Sequence, residues 1–236
     1  MNTQELTYKI DGIEHIAYIA YDDNLSFEKP AVLIAHDWSG RNALAESKAR
    51  ELAEQGYVGF ALDMYGEAKQ GKTNEEKTAL ITPLLSDRGV LQKRMSAALE
   101  TCRNLPFVAS DKIMAMGYCF GGLCVLDLAR TGANILGVVS FHGLLNAPEQ
   151  KLCAKIKSKV LVLHGYDDPM VQPEALQAFA NEMSEAQVDW QLHSYGNTLH
   201  AFTNPLANDP NFGTVYSEVA DKRSWKATLN FFDELV

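Results

Sequence analysis

Long apolar runs are missing from this chain of 236 residues: none approaches the ~20 residues that a membrane-spanning helix requires. The N-terminal Met-Asn-Thr-Gln-Glu-Leu-Thr-Tyr also lacks the basic start and apolar core of a signal peptide, so neither export nor a membrane anchor is expected. Basic residues are scarce. Twenty-one Lys and Arg against 30 Asp and Glu leave a net charge of −9. Nucleic-acid and anionic-membrane surfaces depend on a Lys/Arg footprint, so neither partner is expected. An anionic substrate would have to be drawn in by local positive charge, against the field of the whole protein. There are only 4 cysteines, Cys102, Cys119, Cys124 and Cys153, with no CxxC pair and no dense disulfide pattern. That usage fits a reduced, cytoplasmic setting. No His and Cys residues show metal-ligand spacing, and no cofactor motif is present, so neither a metal nor a cofactor is expected. Repeats, low-complexity tracts and Pro/Ser linkers are absent too.

What is present is a chain long enough to bury roughly 70–75% of the surface its unfolded form exposes. Short apolar runs punctuate it: Ala31–Ala35, Val58–Leu62, Lys112–Met116, Leu136–Phe141 and Val160–His164. Continuous apolar runs of this length are typical of strands buried on both faces. Ile13–Tyr21 alternates and predicts a half-exposed strand, and Trp190–Tyr195 predicts a last one. Helical stripes lie between them. Leu91, Met95, Ala98, Cys102 and Leu105 form one, stopped by Pro106; Leu176, Phe179, Ala180 and Met183 form another, opened by Pro173. A helix carrying Ala45, Ala49, Leu52 and Ala53 ends at Gly56. A final helix from about Val215 is expected to bury Val219, Trp225, Leu229 and Phe232. Alternating strands and helices predict an α/β fold: a mostly parallel central sheet with helices on both faces, in one domain spanning residues 1–236. The polar stretch from Tyr65 to Arg88 reads as an insertion near the site, a loop with a short helix.

One segment carries chemistry. The apolar strand Lys112–Met116 runs into Gly117-Tyr118-Cys119-Phe120-Gly121 and then into an apolar helix. This is the strand–turn–helix setting of a G-x-S-x-G nucleophile elbow, with cysteine in place of serine. Such an elbow exposes a strained side chain and aims the next backbone N–H, that of Phe120, at a developing oxyanion. The helix N-terminus that follows favours a thiolate at Cys119. Cys102 and Cys124 fall among apolar neighbours and read as core; Cys153 sits in no motif.

In this architecture the acid and the histidine follow the nucleophile in that order. The strand Val160–His164 ends just before Asp167 and Asp168. Asp168, stiffened by Pro169, is the expected acid and Asp167 a solvated turn residue. His200 lies in a loop after the last predicted strand, where a general base belongs. His15 and His193 are expected on strand surfaces, and His142 and His164 in hydrogen-bonded structural roles. The first buried strand leads into His36-Asp37-Trp38-Ser39-Gly40. The Trp38 amide is the simplest second oxyanion donor. Asp37 either points towards Cys119 or caps the helix that starts near Asn42.

With Gly117–Gly122, Gln55-Gly56-Tyr57 and Leu62-Asp63-Met64-Tyr65-Gly66 in view, the chain resembles the dienelactone hydrolase family of the α/β-hydrolase superfamily. The resemblance extends from Pro30 to the closing aromatic helix. It implies an α/β-hydrolase fold and the triad Cys119, Asp168 and His200. The implied activity is hydrolysis of an ester or enol-lactone substrate, a small molecule, through an acyl-enzyme. Lactone hydrolases of the family carry a glutamate where this chain has Asp37, and an arginine where it has Asn204. Arg88 or Lys72 could supply that positive charge instead, with Phe202 as a further substrate contact. A thioesterase or carboxylesterase with the same triad, or a non-catalytic small-molecule binder, remain alternatives.

Overall fold

The computed structural model describes residues 1–23, 27–148 and 155–236; Cys153 lies outside them. Eight strands form one sheet: β1 (Asn2–Ile10), β2 (Ile13–Tyr21), β3 (Lys29–Ala35), β4 (Val58–Ala61), β5 (Val108–Tyr118), β6 (Gly137–Phe141), β7 (Lys159–Gly165) and β8 (Trp190–Tyr195). Their spatial order is β1-β2-β4-β3-β5-β6-β7-β8. The β1–β2 and β2–β4 pairs are antiparallel, and every pair from β4 to β8 is parallel. Parallel neighbours need crossovers, which helices supply between β3 and β4, β4 and β5, β5 and β6, and β7 and β8. These are α1 (Ala43–Glu54), α2 (Asn74–Ser86), α3 (Arg88–Arg103), α4 (Phe120–Arg130), α5 (Pro173–Glu185) and α6 (Glu218–Asp233).

Side-chain alternation along the central strands divides the core in two. On β3, Ala31, Leu33 and Ala35 point to the side covered by α3, α4 and α5. Val32 and Ile34 point to the side covered by α1 and α6. Both faces are apolar, so the buried runs read as continuous rather than alternating.

Two expectations need correction, and one strand carries no clear sequence signal. The strand β1 was not legible, because along Asn2–Ile10 only Tyr8 and Ile10 are buried. Its register with β2 is set at a turn where Asp11 and Gly12 take φ of 50° and 81°, as a type I′ hairpin demands. The last helix begins at Glu218, capped by Ser217, while Val215 belongs to a small hairpin of β9 (Asn208–Asp209) and β10 (Thr214–Val215). Val219 is 57% exposed, and the buried stripe runs through Ala220, Ser224, Thr228, Phe231 and Phe232. Ser224 and Thr228 bury easily because their hydroxyls donate to the carbonyls of Asp221 and Ser224. His15 is fully buried: its Nδ1 lies 2.8 Å from the Asp63 carbonyl, against the ring of Tyr8.

Asp63 is buried for a reason. Its carboxylate accepts from the backbone N–H groups of Ile16, Tyr65, Gly66 and Ala68 and so shapes the turn after β4. Among the described residues, no helix is long and apolar enough to cross a membrane.

Candidate active site

Cys119 sits between β5 and α4 with φ 54° and ψ −114°, a left-handed conformation that only glycine adopts without strain. Its neighbours hold it there. A Cβ on Gly117 would stand 2.1 Å from the Gly121 carbonyl oxygen, and a Cβ on Gly121 would stand 2.1 Å from that of Ala35. Only glycine allows the elbow to close so tightly against β3. The Cys119 N–H donates to the Phe141 carbonyl at 3.0 Å, which ties the elbow to the end of β6.

Asp168 follows β7 and is buried, whereas Asp167 is exposed. One carboxylate oxygen of Asp168 accepts from the Met170 N–H at 2.8 Å. The other lies 2.7 Å from Nδ1 of His200, which is itself only 2% exposed. His200 is held through its backbone. Its N–H donates to the Gly213 carbonyl at 3.0 Å, and its own carbonyl accepts from Val215 at 3.1 Å. The hairpin β9–β10 therefore fixes the loop. Nε2 of His200 has no partner among the described residues, and the ring borders the same cavity as Cys119. Burial opposes charge on the imidazole. Interaction with the Cys119 side chain and the hydrogen bond to Asp168 outweigh it and lift the His200 pKa to about 10.

The loop after β3 forms the opposite wall. Nε2 of His36 accepts from the Met64 N–H at 3.1 Å, so Nδ1 carries the proton and donates to the Asp37 carbonyl at 2.6 Å. Burial holds the His36 pKa below its ordinary value, consistent with this neutral tautomer. The bond fixes the peptide plane whose other end is the Trp38 N–H. Tyr65 donates from its hydroxyl to the Trp38 carbonyl at 2.8 Å, and its ring stacks on Phe120. Neither the Trp38 nor the Phe120 N–H donates to any group among the described residues. Two backbone donors are thus free beside Cys119.

These groups border a cavity of about 470 Å³. Asp37 lines it, and its carboxylate accepts from the N–H and hydroxyl of Ser39. The helix-capping alternative for Asp37 is overturned, because Asn42 caps α1 with its own side chain. Trp38 stacks on Phe212 with centroids 6.0 Å apart, and Nζ of Lys77 lies 5.2 Å above the Trp38 ring. Lys77 has no carboxylate partner among the described residues.

The structure does not bring the expected substrate-binding residues to the cavity. Arg88 pairs in bidentate fashion with the buried carboxylate of Asp127 and also reaches the Asn146 carbonyl, away from the cavity. Lys72 is exposed just before α2 and lies along a separate surface groove. Phe202 is fully buried, packed edge-on against His142 and Tyr195. The cation that does line the cavity, Lys77, was overlooked. Its signal was present: Asn74, Lys77 and Ile81 recur at helical spacing, and all three border the cavity. Tyr65 and Phe212 were also overlooked. Phe212 belongs to a hairpin too short to show periodicity. Asn204 does line the cavity.

Residues 16–236 match the model of the dienelactone hydrolase family. The chain belongs to that family. Its fold is that of the α/β hydrolases, and membership makes it a hydrolase acting on ester bonds. It is similar to a dienelactone hydrolase-like promiscuous phosphotriesterase from metagenomic libraries: 36% identity, TM-score 0.95, covering 99% of this chain and 98% of that one. A second solved protein, m3DLH, matches at 34% identity and TM-score 0.95, over 99% of this chain and 98% of its own. The carboxymethylenebutenolidase of a Pseudomonas strain is 26% identical over 203 residues, covering 83% of this chain and 82% of its own.

Proposed function

We propose that this hydrolase cleaves esters or enol lactones through acyl transfer to Cys119, with His200 as general base and Asp168 as the acid that orients it. The observation that carries this reading is the single imidazole held by Asp168 on one nitrogen, with the other left free in the cavity that Cys119 enters. His200 takes the thiol proton and the thiolate adds to the carbonyl carbon. The oxyanion accepts from the Phe120 and Trp38 amides, at the N-terminus of α4. Collapse expels the alcohol or enol, which leaves with the proton from His200. Water, deprotonated by the same ring, then attacks the thioester and releases the acid and the thiol.

Leaving-group chemistry narrows the substrate. A thiol has a pKa of about 8.5 and water one of about 15.7, close to that of an ordinary alcohol. The tetrahedral intermediate therefore returns thiolate in preference to a plain alkoxide. Enol lactones, aryl esters and thioesters are the favoured substrates. Lys77 gives the cavity a cation against the net charge of −9, which supports an ester that also bears a carboxylate. The 65–88 insertion acts here through α2, as the element that brings Lys77 and Ile81 to the cavity.

A second reading extends the same thiolate attack to phosphorus, and the 36% identity to a promiscuous phosphotriesterase favours it. A panel of aryl acetate, enol lactone, thioester and aryl phosphate triester tests both readings. Turnover should vanish in Cys119→Ala and His200→Ala; unchanged turnover in either variant sinks the triad.

A further inference from the structure

Immediately after β6 stands His142, at φ 38° and 3% exposed, with its backbone N–H donating to the Leu163 carbonyl at 2.8 Å. A positive φ at a non-glycine residue is uncommon and persists where surrounding structure enforces it. The ring borders the cavity, and three residues of one loop meet it. Nε2 lies 2.8 Å from Oγ1 of Thr203. The His200 ring stands edge-to-face at 5.0 Å, and that of Phe202 at 5.1 Å. On its far side Tyr118 lies at 6.1 Å.

We infer that His142 is a positioning residue: it pins the 200–203 loop and so fixes where Nε2 of His200 points relative to Cys119. The inference rests on the proposed triad. The loop is also tied by His200 to Asp168, by backbone bonds of His200 to Gly213 and Val215, and by the Ser217 N–H donating to the Phe202 carbonyl, and Ala201 within it is itself at φ 55°. The bond between His142 and Thr203 adds a side-chain tie from the end of β6 to the far end of the loop. Nδ1 of His142 is buried without a partner among the described residues, so the orientation of the ring depends on that bond and on packing.

Charge matters as much as contact. The titratable groups facing His142 are His200 from the loop, His164 from β7 and Tyr118 from β5. Burial pushes His142 well below the ordinary histidine range, and His200 and His164 push in the same direction. His142 therefore stays neutral while its neighbour carries the proton. A protonated His142 would repel the His200 imidazolium.

Three variants test this: His142→Leu, Thr203→Val and His142→Gln, whose amide reaches the position of Nε2. Each is assayed for aryl acetate turnover and for the pH dependence of Cys119 alkylation by iodoacetamide, read by peptide mass. His142→Leu and Thr203→Val should each lower kcat by roughly 10- to 100-fold with little change in KM, the scale of an ångström-sized misplacement. Both should move the alkylation midpoint to higher pH, because a displaced imidazolium stabilises the thiolate less. His142→Gln should retain most activity, and the Leu/Val double variant should be no worse than His142→Leu. Full kcat with an unmoved midpoint, or losses that multiply in the double variant, overturns the inference. If His142→Leu does not fold, Thr203→Val removes the same bond from the other side and decides the matter alone. The two failures are distinguishable. Turnover that survives Cys119→Ala removes the triad itself, whereas Cys119-dependent turnover indifferent to Thr203→Val removes only the role of His142.

Discussion

Nδ1 of His200 stands 2.7 Å from Oδ2 of Asp168, with both side chains buried. An asparagine in place of Asp168 would keep the shape but lose the charge that steadies the imidazolium. Asp168→Asn should lower kcat by roughly 10²- to 10⁴-fold.

The pH dependence has a definite sign. The His200 pKa of about 10 is set by Cys119 and Asp168 against the opposing effect of burial. Wild-type kcat/KM should fall as pH rises through about 10, where the ring loses the proton it gives to the leaving group. In Asp168→Asn that alkaline limb should move to lower pH. Stability follows the same group. A pKa raised in the folded state stabilises fully below the unfolded value of about 6.5 and is lost as pH rises through the folded value. The part of wild-type unfolding stability owed to His200 should thus be complete near pH 6.5 and gone above about 10, with a smaller decline in Asp168→Asn. A pH–rate profile and unfolding midpoints across that range check both. An alkaline limb unmoved by the substitution would overturn the coupling.

Lys77 and Arg88 should separate cleanly. Lys77→Met should raise KM several-fold for a carboxylate-bearing aryl ester, a difference of roughly 1 kcal/mol for a partly exposed charge. It should leave a neutral aryl ester unaffected. Arg88→Met should do the reverse. Asp127, fully buried between Arg88 and Arg130, would keep only the latter. Stability should drop by about 1–3 kcal/mol, as when a buried acceptor loses a partner, with KM unchanged for both esters. Denaturant unfolding and a two-substrate KM comparison decide it. A raised KM for the anionic ester in Arg88→Met would return that arginine to the substrate.

How far the sequence reached depends on what each feature needed. Buried parallel strands announce themselves because both faces are apolar, and the glycines around Cys119 announce an elbow because no other residue fits there. Asp168 and His200 could be located because strand ends in this topology converge on one edge of the sheet. Features set by partners distant in sequence were not legible. Arg88 looked like a free cation until Asp127, on a different helix, took it up. His15 looked like a surface residue until the turn built by Asp63 covered it. The β9–β10 hairpin has two residues per strand, too few to carry a period, yet it anchors His200.

In the proposed mechanism Tyr65 supports the oxyanion donors through one hydroxyl, which donates to the Trp38 carbonyl. Removing it in Tyr65→Phe leaves the ring stacked on Phe120 but frees the Trp38 carbonyl. The stability loss should be close to about 1 kcal/mol, the usual net value of one hydrogen bond. The effect on kcat should be larger than that loss suggests, because the peptide after Trp38 is then held only through the Ser39 N–H on Asp37, next to the Trp38 N–H whose own peptide is held by His36. Kinetics on an aryl acetate, set beside thermal unfolding, would show it. A stability loss with kcat untouched would remove Trp38 from the oxyanion site.

The elbow offers the most stringent test of packing as the origin of reactivity. At Gly121 an added Cβ would fall 2.1 Å from the Ala35 carbonyl oxygen and 2.7 Å from that of His36. Both are backbone atoms of β3 and the loop that leads to Trp38, so neither yields by rotating a side chain. Gly121→Ala must push α4 away from β3, carrying Cys119 and the Phe120 amide with it. Overpacking of this kind costs about 1–3 kcal/mol or more. A shift of about 1 Å at the nucleophile should lower kcat by roughly 100-fold even in the fraction that folds. Gly196, with nothing within 4 Å of an added Cβ, serves as the control. Gly196→Ala should change stability by less than about 0.5 kcal/mol and leave turnover intact. Equal behaviour of the two variants would mean that the close approach of α4 to β3 does not set the position of Cys119.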